Sequence, residues 1–132
     1  MILLVNLDVP DLPAGVVFYT AAFGLNAVRR FGDEGVDLLA ASVPIYLPRK
    51  PPGSVGAATS PRAYDRHWSP AQCDIVVDDF DRALARAISA GAVQEGDVRN
   101  AVWGRIVQLA DPFGHGWCLL QFLGRGYEEI AT

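Results

Sequence analysis

The sequence predicts an α+β domain made of two tandem βαβββ modules forming a curved mixed sheet, a cup, with helices on the outside. Three observations predict it. Residues 106–110 and 117–123 are apolar runs of strand length, and Asp111-Pro112-Phe113-Gly114-His115-Gly116 between them supplies turn chemistry, since Pro112 fixes φ and the glycines permit positive φ. Each half of the chain also carries the same order of signals: an apolar run, a capping aspartate, a helical stretch and a stopping glycine. Finally, Cys73, Ile75 and Val77 stand where Val5, Leu7 and Val9 stand one repeat earlier, so the halves are copies at a constant offset. One βαβββ copy cannot close its sheet alone, so two copies pair, and the front face they enclose is the place for chemistry.

Taken in order, residues 2–9 alternate, with Leu3, Val5, Leu7 and Val9 on one face and Leu4, Asn6 and Asp8 on the other: a strand with one side on a core. Pro10 to Pro13 break it. Asp11 suits an N-cap, Pro13 a first helical turn, and Leu12, Val16, Tyr19 and Phe23 recur at helical spacing until Gly24 stops the helix. Residues 26–31 and 36–41 are short strands joined by Gly32-Asp33-Glu34-Gly35, and 44–47 is a third. The second copy opens with a strand over 71–78. Asp78 or Asp79 then caps a helix with Phe80, Leu84, Ala87 and Ile88 on its inner face, ended by Gly91. Strands over 98–103, 105–110 and 117–123 complete it. In the last, Cys118, Leu120 and Phe122 share one face and Trp117, Leu119 and Gln121 the other; both faces are largely apolar, so a layer lies behind the strand and something enclosed lies in front.

Residues 48–70 contain Pro48, Pro51, Pro52, Pro61 and Pro70 among Gly, Ser, Ala and Arg, without apolar periodicity. This stretch reads as a linker or a lid, with His67-Trp68 as the part suited to cover a ligand and a solvated tether as the alternative. The organisation is a single domain over 1–132: module one 1–47, loop or lid 48–70, module two 71–124 and a C-terminal tail 125–132.

With 51% hydrophobic residues in 132, the chain can bury a real core. Its net charge of −4, and Lys and Arg dispersed apart from Arg29-Arg30 and Arg49-Lys50, leave no basic stripe for nucleic acid. The opening apolar run is cut by Asn6 and Asp8 and lacks a basic leader, so neither a signal peptide nor a membrane span is predicted, and the expected setting is the cytoplasm. Cys73 and Cys118 fit neither a disulfide framework nor a thiol zinc site and are expected reduced and buried.

If the apolar sides of the first strand of each copy face the helices, then Leu4, Asn6 and Asp8 with Gln72, Asp74 and Val76 face the cup. Asn6 and Asp74 occupy duplicate slots. Beside Leu120, Phe122 and Tyr46 or Trp103, the Asp74 carboxylate would be partly desolvated and its pKa raised unless a donor such as Arg105 or Asn6 reaches it, which makes it a candidate catalytic base or a partner for a cationic ligand. The alternative is that Asn6 and Asp74 satisfy strand-end groups and each other. Trp68, Trp103 and Arg105 read as pocket wall or lid. Cys118 has no evident base nearby in sequence and reads as a small apolar residue rather than a nucleophile, and Asp111 reads as a turn carboxylate accepting backbone N–H bonds.

The segment Val9-Pro10-Asp11-Leu12 through Phe18-Tyr19 to Phe23-Gly24-Leu25, its copy from Val77-Asp78-Asp79 to Gly91-Ala92, and Asp111-Pro112-Phe113-Gly114-His115 resemble the vicinal oxygen chelate superfamily. That superfamily includes glyoxalase I, bleomycin-resistance proteins and extradiol dioxygenases. In its metal-dependent members, His and Glu or Gln side chains on the first and fourth strands of each half hold the ion, and the resemblance carries these positions onto Leu4, Tyr46, Gln72 and Cys118. Of these only Gln72 and Cys118 are able to ligate, while His67 and His115 fall in a loop and a turn, so no metal and no other cofactor is expected. The resemblance then implies metal-independent binding or sequestration of a small organic molecule, as in bleomycin-resistance proteins. Asn6, Tyr46, Trp68, Gln72, Asp74, Trp103, Arg105, Cys118, Leu120 and Phe122 would surround the ligand. A metal-dependent lyase, isomerase or dioxygenase of the glyoxalase type is the alternative. A homodimer is expected, because such halves leave sheet edges and apolar surface for a second chain to cover.

Overall fold

A computed structural model describes residues Met1–Thr132, which divide into two compact units, Met1–Asp65 and Arg66–Thr132. The first unit contains β1 (Val5–Asn6), α1 (Leu12–Phe23), β2 (Asn26–Phe31), β3 (Gly35–Leu39) and β4 (Ile45–Pro48). Its sheet runs in the order β1-β4-β3-β2, with β1 parallel to β4 and the other neighbours antiparallel. The regular part of β1 is short, yet its backbone pairing continues through Leu7 N–H to Tyr46 C=O (3.0 Å) and Val9 N–H to Pro48 C=O (3.1 Å).

The α1 signals act as read: Asp11 accepts from the Ala14 N–H at 2.9 Å, and Gly24 ends the helix in the left-handed region at φ 69°. The buried face, however, is Leu12, Gly15, Phe18, Tyr19 and Ala22, and the predicted Val16 and Phe23 are only half-buried. Gly15 explains the rotation. A Cβ there would stand 3.2 Å from the Val9 methyls, so the helix lays its one residue without a side chain against the end of the strand. Behind the sheet, Val9, Tyr19, Val36, Leu38 and Leu47 are fully buried, each such side chain contributing about 1.5–3 kcal/mol of burial free energy.

The expectation of a structureless stretch over 48–70 needs correction. Its first part forms a small ribbon, β5 (Val55–Ala57) with β6 (Ser60–Pro61), and Arg62 pairs with Asp8 at 2.5 Å while the Tyr64 hydroxyl donates to the Lys50 C=O at 2.7 Å. Turn and side-chain hydrogen bonds, rather than apolar periodicity, organise it.

The second unit repeats the plan with β7 (Cys73–Val76), α2 (Phe80–Ala90), β8 (Val93–Ala101), β9 (Gly104–Ala110) and β10 (Gly116–Phe122), in the order β7-β10-β9-β8. A single 3-10 turn, Gly126–Glu129, follows. Asp79 is the cap of α2, accepting from Arg82 N–H at 3.2 Å. Phe80, Ala83 and Ala87 form its buried face, whereas Ile88 is exposed. β8 begins earlier than its apolar residues suggest, because Val93, Gln94 and Glu95 pair through their backbones with Ala110, Leu109 and Gln108 before a bulge at Gly96, φ 83°. Asp111 is buried in the β9–β10 connection. One carboxylate oxygen accepts the Phe113 and His115 N–H groups (2.8 and 3.0 Å) and the other the Trp117 indole N–H (3.0 Å), which is the turn role its position predicts.

Candidate functional site

In the first unit, helix α1 covers one face of the sheet, and strand alternation sends the intervening side chains to the other. Register aligns four of these in one row across all four strands: Asn6 opposite Tyr46, Tyr46 opposite Asp37, Asp37 opposite Arg29. The row crosses an open cleft of about 670 Å³, whose apolar walls include Leu4, Val28, Phe31, Leu39 and Pro44. Arg29 donates from both Nε (2.7 Å) and Nη2 (2.6 Å) to Asp37 Oδ2. Its guanidinium also lies 5.4 Å from the Phe31 ring centroid. Phe31 in turn meets Tyr46 edge-on at 5.6 Å, and Gly35 is the gap that admits Tyr46, since a Cβ there would collide with the ring.

The second unit carries the duplicate row: Asp74 opposite Cys118, Cys118 opposite Gln108, Gln108 opposite Glu95. Gln72 donates to Cys118 Sγ, and Arg66 holds Glu95 through Nε (3.1 Å) and Nη2 (2.9 Å). Burial pushes the Cys118 thiol above its ordinary range, with the Asp74 charge acting in the same direction, so the sulfur stays neutral and is poorly prepared for nucleophilic work. Part of the rest of this face is covered by the chain itself. Trp103 packs on Ile106, Cys118 and Leu120, and Tyr127 lies 5.2 Å from Trp103 and 4.8 Å from Phe122. Two hollows smaller than the first-unit cleft are open in this unit: one of about 70 Å³ bordered by Arg66, Trp68, Gln72, Gln108 and Trp117, and a shallow one of about 360 Å³ beside Phe122 and Tyr127.

The structure thus puts Asn6 and Tyr46 together on the first-unit face, and Gln72, Asp74, Cys118, Leu120, Phe122 and Trp103 together in the second unit. Trp68 lines the small cavity while remaining 82% exposed. Two expectations are corrected. Arg105 does not reach Asp74: it stands opposite Gln121 on the helix side, 4.5 Å from the Phe80 ring centroid, with Nη2 3.0 Å from Asp81 Oδ1. Asp74 is exposed instead of desolvated, because β7 is an edge strand. Cys73 is half-buried, and both thiols are free. Sequence reading missed Arg29, Asp37 and Phe31. The signal was present, since counting outward from the turn at Gly32 places Phe31 opposite Gly35 and Arg29 opposite Asp37.

The donor set does not suit a divalent ion. Leu4 offers no donor atom, Tyr46 an aromatic-packed phenol, and the Cys118 thiol already accepts a hydrogen bond from the Gln72 amide. No three His, Cys, Asp or Glu side chains gather as a metal site anywhere in the chain. Nor is any helix long and apolar enough to cross a membrane.

Comparison with known proteins agrees with this architecture. Over a stretch of 54 residues the chain is 39% identical to uncharacterised proteins of Mycobacterium bovis and Mycobacterium tuberculosis; the match takes in 40% of this chain but only 36% and 32% of theirs. Among solved structures, TioX from Micromonospora sp. ML1 has a TM-score of 0.71 at 22% identity, covering 93% of this chain and 99% of that one. The fosfomycin resistance protein FosX from Listeria monocytogenes has a TM-score of 0.69 at 16% identity, covering 92% of each chain. Lactoylglutathione lyase from Agrobacterium tumefaciens has a TM-score of 0.63 at 21% identity, again covering 92% of each. At these identities the likeness is one of fold. Residues 4–120 match the model of the glyoxalase-like domain, and the chain belongs to that family, within the glyoxalase, bleomycin resistance and dioxygenase (vicinal oxygen chelate) superfamily.

Proposed function

We propose that this protein binds a small organic molecule in the first-unit cleft without a metal ion. The observation that carries the reading is the asymmetry of the duplicated faces: Trp103 and Tyr127 partly cover the second and leave hollows of about 70 and 360 Å³, while the first leaves about 670 Å³ between apolar walls and a polar row. The family supports such a role without selecting it, since its fold serves both resistance proteins and lyases among the structural neighbours. The poor donor set at Leu4, Tyr46, Gln72 and Cys118 favours binding over glyoxalase-type metal chemistry. We further propose a homodimer, supported by β2, an edge strand exposed along its length that carries Val28 and Phe31, and a cytoplasmic setting, supported by two free thiols. Thermal-shift screening of aromatic and amphipathic molecules in EDTA should find ligands that raise the melting temperature, and Tyr46→Ala should weaken them by about tenfold through loss of a buried aromatic contact. Stoichiometric metal in the purified protein, or binding that EDTA abolishes, would overturn the proposal.

A further inference from the structure

We infer that the ligand of the first-unit cleft is an organic anion: an apolar, ring-sized body bearing a carboxylate or a comparable oxyanion that the Arg29 guanidinium receives. This rests on the binding role proposed above and adds the chemical class. The argument begins with which polar groups are already used. Asp37 gives one oxygen to both Nε and Nη2 of Arg29, and Asp8, two residues past β1, is paired with Arg62, so both carboxylates are charge-matched within the chain. The donors are not exhausted. A guanidinium has five N–H groups in a rigid fork; two go to Asp37, and Nη1 has no partner in the chain. The Asn6 amide and the Tyr46 hydroxyl, in the same row and lining the same cleft, likewise make no hydrogen bond within the chain.

Arg29 is also held in place. Its side chain is 71% exposed, but its anchor Asp37 is only 16% exposed, and the Phe31 ring flanks the guanidinium at 5.4 Å. A cation fixed by a half-buried carboxylate and an aromatic face loses little further freedom on meeting an anion, which is how preorganised arginines recognise carboxylates. The apolar walls at Leu4, Val28, Leu39 and Pro44 then bury the ligand body. An organic cation, by contrast, would have to displace Arg29 from both Asp37 and Phe31.

A matched series separates the classes: naphthoate, its primary amide and naphthylmethylamine share one ring system and are anionic, neutral and cationic near neutral pH. Calorimetric titration of the full chain should show naphthoate binding about tenfold more tightly than the amide, the difference expected for one charge-assisted hydrogen bond, with the amine weakest. Arg29→Gln should bring naphthoate down to the level of the amide while the amide itself binds as to wild type. Because the change leaves the Asp37 carboxylate without its cation, a small drop in melting temperature is expected, and the titrations are run well below it. Tightest binding by the amine, or equal binding by all three, would overturn the anion assignment while leaving small-molecule binding intact. The same holds if none of the three binds but the broader screen yields a Tyr46-dependent ligand. No ligand in either experiment would defeat both readings.

Discussion

Single residues divide here into those that hold the fold and those that face the cleft, and hydrogen-bond accounting separates them. Asp111 is buried with three N–H donors aimed at its two oxygens. Asp111→Asn can keep one oxygen for the turn, but it turns an NH2 group toward the Trp117 indole N–H and leaves that buried donor without an acceptor. Urea unfolding should report a loss of about 1–3 kcal/mol with ligand binding unchanged. Asp74 provides the contrast. As an exposed residue on an edge strand, Asp74→Asn should shift stability by no more than about 0.5 kcal/mol. Both aspartates occupy suggestive positions in the sequence, and only burial and partners distinguish structural carboxylate from surface carboxylate.

At the scale of elements, the β2–β3 hairpin and β4 act together to make the cleft. Gly35 begins β3 directly opposite Phe31, and its missing side chain is the space the Tyr46 ring fills. Gly35→Ala is therefore expected to leave the hairpin paired but push Tyr46 out of its edge-on contact with Phe31. Ligand affinity should fall about tenfold, while the melting temperature should move little because Tyr46 is only half-buried. Titration of the variant beside a circular-dichroism melt checks both parts. The same hairpin register would have revealed Arg29 and Asp37 from sequence alone, and the β9–β10 hairpin would have shown that Arg105, opposite Gln121, lies on the face away from Cys118. In each case the information lies in the pairs flanking the turn rather than in the turn itself.

For the whole molecule, the shifted groups that gain from staying protonated set the response to alkali. Burial raises the thiol pKa of Cys73 and Cys118, with Asp74 adding to both, and raises the Tyr64 phenol, with Asp8 adding to that. A raised folded-state pKa means the native chain holds protons that the unfolded chain has already released. The contribution is complete below the ordinary thiol and phenol values, about 8.5 and 10, and is lost as pH rises through the raised ones. Melting temperature should therefore decline from about pH 8.5 upward, and Cys118→Ser should flatten the first part of that decline. A melting temperature that stays level to about pH 10 would contradict it.

The amino-acid sequence by itself determined the duplicated βαβββ plan, the Asp11 cap of the first helix, the Asp111 turn and the shared facing of Asn6 and Asp8 and of Cys118 and Leu120. These depend on short-range order, in which caps and turns act within a few residues and strand alternation has a period of two. It did not choose between Asp78 and Asp79 as the second cap, nor determine which of the two faces carries the larger cleft. That outcome depends on Tyr127 reaching Trp103 and Phe122, and on β1 pairing in parallel with β4 so that Asn6 stands beside Tyr46. Contacts between residues far apart in the chain leave no periodic mark on either segment, and only the tertiary structure decides them.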